Sequence, residues 1–440
     1  MKTFITGMGI WSCIGTSIPE VTKSLREGKS GIGHIKERAD YGYQSTLSGI
    51  VPPVPDSIIS DLPRSKRICM GEPARYAYMA VLQAIKQAQL TDFHNVALFV
   101  SNDSTAGAAA ETESLMQERH DTRYLGAGKV FQSLNSTVSM NLASIFHLNG
   151  LSLTISAACA GGGHAIGLAH SLIQSKQIDC AIVVGAQEVG LHAYTSFDAI
   201  GVFSREASRP FDKNRSGLVP SGGAAAIILE SDEHFRNRMA TATEGSVTTP
   251  SHSVTVSSGS PEGSKPSPLA SILGYGFSTS PSIATPNAES ILTSMTMALN
   301  NAERHEYQVI PAFSLGMISA HATGTKDGDR AEAEAISTFI TSSKRGYHES
   351  YVKDVAPWIS STKALTGHEC WMSGVSQMVY TLIQMHNRFV APNPNLTDPD
   401  DACSTLRIAR KTTPWHIASH ALLNAFGFGG TNSSIVIKKE

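Results

Sequence analysis

LSLTISAACAGGG, residues 151–163, marks a change in local structure, because an apolar run typical of a β-strand stops there and a small-residue segment begins. Beyond it, apolar residues recur at helical spacing from Ala165 to Ile173, which predicts a strand-to-helix turn carrying Cys159. Unpaired N–H groups and the positive end of a helix dipole stabilise a thiolate at such a turn, which favours a nucleophilic cysteine. The alternative is a buried structural cysteine, because free cysteine is among the most buried residue types.

Two histidines far downstream lie in turns rich in small residues. His321 belongs to SAHATGTKDGD, residues 319–329, and His368 belongs to SSTKALTGH, residues 360–368. Both follow short apolar runs, and loops at strand ends are where catalytic groups usually lie. A glycine-rich turn, LNAFGFGGTNS at residues 423–433, allows a backbone to approach a ligand closely and to present N–H groups to it. These segments favour the nucleophilic interpretation of the cysteine.

Together these segments resemble the β-ketoacyl-acyl carrier protein synthases, the condensing enzymes of the thiolase superfamily, over nearly the whole chain and in the family's order. The resemblance implies that Cys159 is the nucleophile, that His321 and His368 are catalytic histidines, and that Lys363 supports their hydrogen-bond network. An initiating synthase is expected to carry asparagine in place of the second histidine, and a thiolase a second cysteine. The chain is therefore identified as an elongating, Cys-His-His synthase.

The resemblance also implies roles for neighbouring residues. Backbone N–H groups of Cys159 and Phe428 would form the oxyanion hole, and Phe428 would gate the acyl pocket. Phe197 lies where the family places an acyl-pocket aromatic, although ordinary core packing is an equal alternative. Pantetheine binding or loop support is assigned to a further set of polar residues: Thr323, Thr325, Asp329, Glu332, Thr431 and Asn432.

The implied reaction is the decarboxylative Claisen condensation of an acyl thioester with malonyl-acyl carrier protein. It gives a β-ketoacyl-acyl carrier protein in fatty acid or polyketide-type lipid synthesis, needs no cofactor, and proceeds through an acyl-enzyme on Cys159. The basic run Arg64, Lys66 and Arg67 is a candidate docking surface for the acidic carrier protein, or else a solvated charged face.

Three alternatives compete with this function. A non-catalytic partner subunit of the chain-length-factor type shares the fold but lacks the nucleophile, so Cys159 and both histidines argue against it. A cysteine hydrolase would leave the second histidine and the lysine unused. A zinc site at His368 and Cys370 lacks a second ligand pair at metal-like spacing, so no metal is expected.

Composition limits the class of protein. With 440 residues, 41% hydrophobic and 16% charged, the chain can bury a large core in more than one domain-sized unit. A formal net charge of -2 gives no reason to expect nucleic acid or an anionic membrane as a partner. The six cysteines show no paired spacing, which fits a reducing compartment. With no signal-peptide pattern and no apolar run of membrane-spanning length, we expect a cytoplasmic protein.

An internal repeat predicts the architecture. TFITGMG at residues 3–9 recurs in kind as ASILGYG at residues 270–276, each an apolar strand that ends in Gly-x-Gly without a full dinucleotide-binding fingerprint. Alternating strands and helices predict parallel sheets covered by helices. The resemblance implies an α/β, thiolase-like fold of two similar α/β halves in a five-layer α-β-α-β-α arrangement, usually a homodimer.

The two halves are expected to supply different parts of the site. Residues 1–245 form the N-terminal half with the nucleophile, and residues 269–440 form the C-terminal half with the histidines. Residues 246–268, rich in Ser, Thr, Pro and Gly, form a surface excursion between them.

Two departures from the family pattern point to a specialised acyl pocket. Ser221-Gly222-Gly223-Ala224 lacks an expected acidic residue, and Glu369-Cys370-Trp371-Met372 replaces small residues after His368. Bulky side chains there alter the helix behind the active site and with it the pocket. The synthesis of polyene or polyketide-type lipids is therefore an alternative to general fatty acid elongation as the pathway of this protein.

Overall fold

A computed structural model describes residues 1–103, 105–241, 266–282, 286–343, 356–415 and 419–440. The strands in chain order are β1 Thr3–Ser12, β2 Ile32–His34, β3 Leu47–Gly49, β4 Ala97–Ser101, β5 Ser152–Ile155, β6 Cys180–Gln187, β7 Gly223–Ser231, β8 Ala270–Thr279, β9 Met317–Ser319, β10 Trp358–Ser360, β11 Phe389–Val390, β12 Thr413–Pro414, β13 His420–Phe426 and β14 Thr431–Lys439. Of the predicted excursion at residues 246–268, the part from 246 to 265 lies outside the described residues.

The α-helices surround and separate the strands. In chain order they are α1 Ile18–Glu27, α2 Glu37–Asp40, α3 Arg64–Arg67, α4 Glu72–Ala88, α5 Ala106–Arg119, α6 Gly128–Ser133, α7 Thr137–Phe146, α8 Gly161–Gln174, α9 Thr195–Ala199, α10 Asp232–Thr241, α11 Ala288–Glu306, α12 Lys326–Ser342, α13 Lys363–Thr366 and α14 Ser373–His386. None of these described helices has the length and apolar character that a bilayer-spanning segment needs.

Ten strands form one sheet in the order β10-β9-β13-β14-β8-β1-β7-β6-β4-β5, which contains the same five-strand pattern twice. In the first copy β1, β7 and β6 pair antiparallel, whereas β6, β4 and β5 pair parallel. In the second copy β8, β14 and β13 pair antiparallel, whereas β13, β9 and β10 pair parallel. A short antiparallel pairing of β1 with β8 joins the copies. The two predicted halves are confirmed, but each sheet is mixed and not purely parallel.

Buried clusters on both faces of each half-sheet create five layers. Alternate residues of a strand face opposite sides, so in β4 Phe99 lies in the central core while Leu98 and Val100 pack under α4 and α7. In β13, Leu423 lies in the central core and Leu422 packs under α11 and α12. Helices α8 and α14 lie between the half-sheets, where the central core contains residues of both. The order is therefore the predicted α-β-α-β-α.

The repeated Gly-x-Gly brings a helix close to a strand. A Cβ on Gly9 would lie 2.0 Å from the carbonyl oxygen of Ala80 in α4, and one on Gly276 would lie 2.0 Å from the carbonyl oxygen of Ser294 in α11. Glycine is needed where two backbones approach this closely. The prediction that the strands end at these glycines was wrong, because β1 and β8 continue to Ser12 and Thr279.

The two central helices cross on glycines near their N-termini. A Cβ on Gly374 of α14 would lie 2.2 Å from the backbone nitrogen of Gly163, and one on Gly162 of α8 would lie 2.9 Å from that of Val375. A 3-10 turn precedes each helix, Ala158–Ala160 before α8 and Cys370–Met372 before α14. The glycine crossing therefore brings two turns from opposite halves into contact.

Candidate active site

The turn that carries Cys159 connects β5 to α8, so the predicted strand-to-helix turn is confirmed. Cys159 lies two residues before the first residue of α8, and its side chain is buried. Ala158 adopts a φ of 46°, an unusual value for a residue with a Cβ. Its N–H donates to an Oδ of Asp103 at 2.9 Å. The partly buried carboxylate of Asp103 thus holds the backbone of the turn that carries the thiol.

Both predicted histidines line the same cavity as the thiol, and His368 contacts the thiol directly. The Nε2 of His368 lies 3.0 Å from the Sγ of Cys159. The His321 ring stands edge-on to the His368 ring, with 5.2 Å between centroids. Behind them, the Nδ1 of His368 lies 3.3 Å from the Oγ of Ser373, the first residue of α14. One thiol and two imidazoles therefore lie together in the wall of one cavity.

The charge environment fixes the protonation of the groups around the thiol. Burial lowers the pKa of His321 well below its usual value, and the nearby charges of Lys363 and His368 act in the same direction. His321 is therefore neutral at pH 7, and its buried Nδ1 has no hydrogen-bond partner among the described residues. Burial also lowers the pKa of Lys363, to about 8, against the opposing charges of Glu332 and Glu369.

Lys363 is held in place by one amide side chain. Its Nζ donates to the Oε1 of Gln377 at 3.1 Å. The Nε2 of Gln377 donates in turn to the carbonyl oxygens of Ala320 and Asn424, at 3.1 and 3.0 Å. Gln377 lies on α14 and connects the lysine to the strand ends that carry His321 and the glycine-rich turn. Sequence reasoning missed this residue, which no local motif marks.

Two carboxylates on α12 support the loop of His321, as the sequence analysis expected. Glu332 accepts hydrogen bonds from the backbone N–H groups of His321 and Ala322, at 2.9 and 2.7 Å. Asp329 accepts from the N–H groups of Phe211 and Gly324, at 2.8 and 3.0 Å. Burial raises the pKa of Asp329 to about 6 and of Glu332 to about 7, opposed by these hydrogen bonds.

A cavity of about 90 Å³ leads to the site. Cys159, His321 and His368 line it together with part of the predicted pantetheine or loop-support set, namely Thr323, Thr325, Asp329, Glu332 and Asn432. Thr431 is the exception, because its Oγ1 lies 2.7 Å from the Nε2 of His164 and is absent from the cavity wall. The cavity gives access to the thiol past these polar groups and past the apolar side chains of Leu218, Ile291 and Phe426.

Three aromatic side chains pack in a row that begins at the cavity: Phe428, Phe197 and Trp371. Phe428, 41% exposed, lines the cavity and precedes two glycines with φ of 88° and 76°. Its ring packs on Phe197 with centroids 6.0 Å apart, and Phe197 packs on Trp371 at 6.4 Å. The two predicted pocket aromatics are therefore in contact with each other, and Phe197 also contacts Trp371, one of the residues that depart from the family pattern.

Trp371 belongs to a packed cluster beside the nucleophile. The buried members of this cluster are Cys159, Tyr194, Phe203, Leu218, Cys370 and Trp371. The carbonyl oxygen of Trp371 accepts a hydrogen bond from the Oγ of Ser101 at 2.7 Å, which fixes its turn. Of the residues predicted to alter the acyl pocket, Cys370 and Trp371 therefore belong to the same cluster as Cys159, whereas Met372 lies in the central core.

Cys370 lies beside Cys159, with their Sγ atoms within 4.8 Å of each other, although the sequence analysis did not place Cys370 in the catalytic site. Its hydrogen bond is the largest influence that holds the pKa of Cys159 well below the usual value; the charges of His368 and Lys363 add to it, and burial opposes it. The same hydrogen bond and burial raise the pKa of Cys370 well above its usual range. Side chains of the C-terminal half therefore favour the Cys159 thiolate.

Glu369 was noted only as a departure from the family pattern, and the structure places it behind the histidines. Its carboxylate accepts hydrogen bonds from the Oγ of Ser376 and the Oη of Tyr380, both at 2.6 Å. Burial raises its pKa to about 7, so the carboxylate adds a titratable charge near Lys363.

The basic run lies apart from the site. Arg64, Lys66 and Arg67 form α3, and the Nζ of Lys66 donates to the carbonyl oxygen of Ser144 at 2.6 Å. None of the three lines the cavity. Their docking role remains a prediction.

The chain is similar to known proteins along its length. Family models of the N-terminal and C-terminal domains of beta-ketoacyl synthase match residues 2–234 and 269–397. The 3-oxoacyl-[acyl-carrier-protein] synthase 1 of Haemophilus influenzae is 30% identical, with 100% of this chain and 99% of that protein covered. A crystal structure of a beta-ketoacyl synthase from Burkholderia phymatum is 25% identical, with a TM-score of 0.83 over 100% of this chain and 99% of that one. A type II ketosynthase solved in complex with its acyl-carrier protein shares the fold at 22% identity, with a TM-score of 0.77 over 100% and 99% of the two chains.

Proposed function

This chain belongs to the beta-ketoacyl synthase family, and we propose that it is an elongating β-ketoacyl-acyl carrier protein synthase. It joins an acyl group to a two-carbon unit from malonyl-acyl carrier protein and releases carbon dioxide. The observation that carries this assignment is the meeting of one thiol with two imidazoles, at 3.0 Å from Sγ to Nε2 and 5.2 Å between the rings.

In the first half-reaction Cys159 takes the acyl group. The thiolate attacks the thioester carbon of the acyl-carrier substrate, a new sulfur–carbon bond forms, and the pantetheine thiolate leaves. The low pKa of Cys159 supplies the nucleophile at neutral pH. Cys159 and Phe428 both line the cavity, and their backbone N–H groups would stabilise the transient oxyanion.

In the second half-reaction the malonyl carbon–carbon bond breaks and carbon dioxide leaves. Negative charge then develops on the thioester oxygen, and His321 and His368 would each donate a hydrogen bond to it. A neutral His321 can serve this role, because a neutral imidazole keeps one ring N–H that donates a hydrogen bond. The enolate carbon attacks the acyl group on Cys159, and the thiolate departs in its original form.

Lys363 would act on this step through its charge and not by direct proton transfer. It is buried, it stays protonated at neutral pH with a pKa of about 8, and Gln377 fixes its position. A cation near the two imidazoles favours the enolate and opposes protonation of His321.

The natural partner in this proposal is an acyl carrier protein, which the names of the related synthases include. Arg64, Lys66 and Arg67 would contribute to its docking, and Thr323, Thr325 and Asn432 would line the path of its pantetheine arm. We further propose that the protein acts in the cytoplasm as a homodimer, in fatty acid or polyketide-type lipid synthesis. The non-catalytic partner subunit is not favoured, because the nucleophile and both histidines meet.

A two-part assay tests the proposal. The protein is incubated with acyl-carrier thioesters of graded length, and intact-mass spectrometry follows loading while peptide mapping locates the adduct. Malonyl-carrier protein is then added, and carbon dioxide and β-ketoacyl product are measured. Acyl adducts on Cys159 followed by product formation support the proposal. No adduct on Cys159 with any thioester, or loading without condensation, would contradict it.

A further inference from the structure

Two thiols meet beside the histidine, although condensation uses only one of them. The Sγ atoms of Cys159 and Cys370 and a ring nitrogen of His368 all lie within 4.8 Å of one another, and all three residues are buried. The glycine crossing of α8 and α14 fixes this proximity, because each cysteine lies in the turn that precedes one of these helices. Cys370 is thus held beside the nucleophile by the backbone and not by a flexible loop.

We propose that Cys159 and Cys370 form a site of reversible oxidation, at which hydrogen peroxide converts the two thiols to a disulfide and so masks the nucleophile. The inference concerns a modification and goes beyond the condensation reaction. It would stand even if the natural acyl substrate differed from the one proposed.

The oxidation proceeds in two balanced steps. The Cys159 thiolate attacks one peroxide oxygen, a sulfur–oxygen bond forms as the oxygen–oxygen bond breaks, and the departing hydroxide takes a proton to become water. The Cys370 sulfur then attacks the Cys159 sulfur, a sulfur–sulfur bond forms, and the hydroxyl leaves with the Cys370 proton as a second water. Two thiols and one peroxide therefore give one disulfide and two waters.

The contrast among the cysteines makes Cys159 the thiol that peroxide oxidises first, and Cys370 the thiol placed to react with its product. Burial raises the pKa of Cys13 and of Cys403 to about 12, so both stay protonated at neutral pH and react slowly with peroxide. The pKa of Cys159 is lowered, and the residue lines the cavity of about 90 Å³. A peroxide molecule is little larger than water and fits a cavity of that size.

Closure of the pair starts from sulfurs that are already close. The two Sγ atoms lie within 4.8 Å of each other and must approach to about 2.05 Å, and the turns that carry them are in contact. The first residue of each turn has positive φ, 46° at Ala158 and 43° at Cys370, so neither turn is at its backbone minimum. Masking Cys159 in this way would protect it from oxidation to the irreversible sulfinic acid.

The test follows the mass of the full-length protein under peroxide. The protein is first treated with a chelator, because the same three atoms are spaced for a soft metal ion, and is then exposed to a small excess of hydrogen peroxide. We expect a loss of two hydrogens, a linked peptide pair containing Cys159 and Cys370, and loss of acyl loading that dithiothreitol restores. Linkage is read directly from mass, so its failure is distinct from failure of the condensation assay.

Two variants make the outcome specific. In Cys370→Ala, peroxide should drive Cys159 to sulfinic acid, and dithiothreitol should no longer restore loading. In the control Cys69→Ser, which removes a thiol in α3's neighbourhood, the linked pair and the recovery should both persist. Sulfinic acid on Cys159 with a free Cys370 thiol in the unaltered protein would overturn the proposal, and it would do so even if Cys370→Ala failed to fold.

Discussion

The turns Ala158–Ala160 and Cys370–Met372 have similar backbones, but their side chains differ in role. Each is a 3-10 turn that begins with a positive φ, each leads into a central helix, and each lies at the glycine crossing. The first presents a thiol to the cavity. The second packs Cys370 and Trp371 into the cluster beside that thiol. The same backbone conformation thus carries the thiol in one half of the chain, and in the other half it carries side chains that pack beside that thiol.

The difference lies in side chains, because the backbone is shared. The first turn is followed by three glycines, Gly161 to Gly163, which leave space for the close approach of Ser101, α14 and Ser433. The second carries Trp and Met, which are buried. We therefore expect substitutions in the first turn to alter whether the reaction occurs, and substitutions in the second to alter which substrate enters.

The largest effect should come from separating the two half-reactions. Cys159→Ala should abolish acyl loading and condensation, because no acyl-enzyme can form, while carbon dioxide release from malonyl-carrier protein continues. His321→Ala should lower decarboxylation by about 10²- to 10⁴-fold and spare more of the loading. Loading is measured by intact mass and decarboxylation by carbon dioxide release.

His368→Ala sharpens this separation. Because His368 also contacts the Cys159 sulfur, its removal should slow loading more than His321→Ala does. His94→Ala, at an exposed histidine, serves as the control with parent rates. Condensation by Cys159→Ala, or parent-rate decarboxylation in both histidine variants, would refute the mechanism.

The next largest effect should distinguish the two thiols by pH. The lowered pKa of Cys159 keeps it a thiolate at pH 7, so its alkylation by iodoacetamide should change little between pH 7 and 9. The pKa of Cys370 is raised, so it should react more than about 10²-fold more slowly at pH 7. Timed peptide mapping measures both rates, with Cys69 as the internal reference. Modification of Cys370 before Cys159 would reverse the assignment.

A substitution at the crossing should disturb both turns together. Gly374→Ala places a Cβ 2.2 Å from the backbone nitrogen of Gly163, and we expect the free energy of unfolding to fall by about 1–3 kcal/mol. Urea unfolding measures the change. Gly190→Ala is the matched control, because its Cβ would meet nothing closer than an oxygen of Glu72 at 3.7 Å. Equal stability of the two variants would show that the helices can separate freely.

A smaller and more selective effect should follow from Trp371→Ala. Removal of the indole opens space beside Cys159 and Phe197, so longer acyl groups should load faster relative to short ones, by roughly 10-fold or more. The measurement is competitive loading from a mixture of acyl-carrier thioesters. Tyr41→Ala removes an exposed aromatic side chain as a control. An unchanged length preference would mean that Trp371 does not bound the acyl pocket.

The smallest effect is expected farthest from the turns. Replacing Ser246 to Pro268 by a short Gly/Ser link should change the free energy of unfolding by less than about 1 kcal/mol, because the free energy of loop closure varies slowly with length. The composition of this segment and the independent anchoring of α10 and β8 support that expectation. Unfolding and condensation rates are measured on the shortened protein. Loss of either would assign the segment a structural or partner-binding role.

Local patterns marked the candidate chemical groups and the internal repeat, and the family resemblance supplied their expected roles and the two-half fold. Cys159, His321 and His368 each lie in a short motif at the end of a strand, so the sequence marks them without knowledge of the packing. The glycines of the repeat were misinterpreted, because glycine usually ends a strand whereas Gly7 and Gly9 lie inside β1 and face α4. The helix behind a strand is not visible in the strand's own sequence.

Long-range contacts were the part that sequence reasoning could not supply. Cys159 and His368 are 209 positions apart, and Cys370 joins them only because two helices cross on glycine. The sequence analysis therefore explained the thiolate by the helix N-terminus alone, and it could not include the hydrogen bond from Cys370 that lowers the thiol pKa. Gln377 was missed for the same reason, since its role depends on packing between elements that are distant in the chain.

The glycine crossing sets the shortest distance at which the two central helices can pack. At Gly162, Gly163 and Gly374 main chain rests on main chain, so the spacing of nucleophile and histidine is set by atomic radii common to every sequence. Side chains around the thiol can therefore vary without changing the spacing between Cys159 and His368. A lineage could therefore exchange one acyl substrate for another through residues such as Trp371 and inherit the same reaction geometry unaltered.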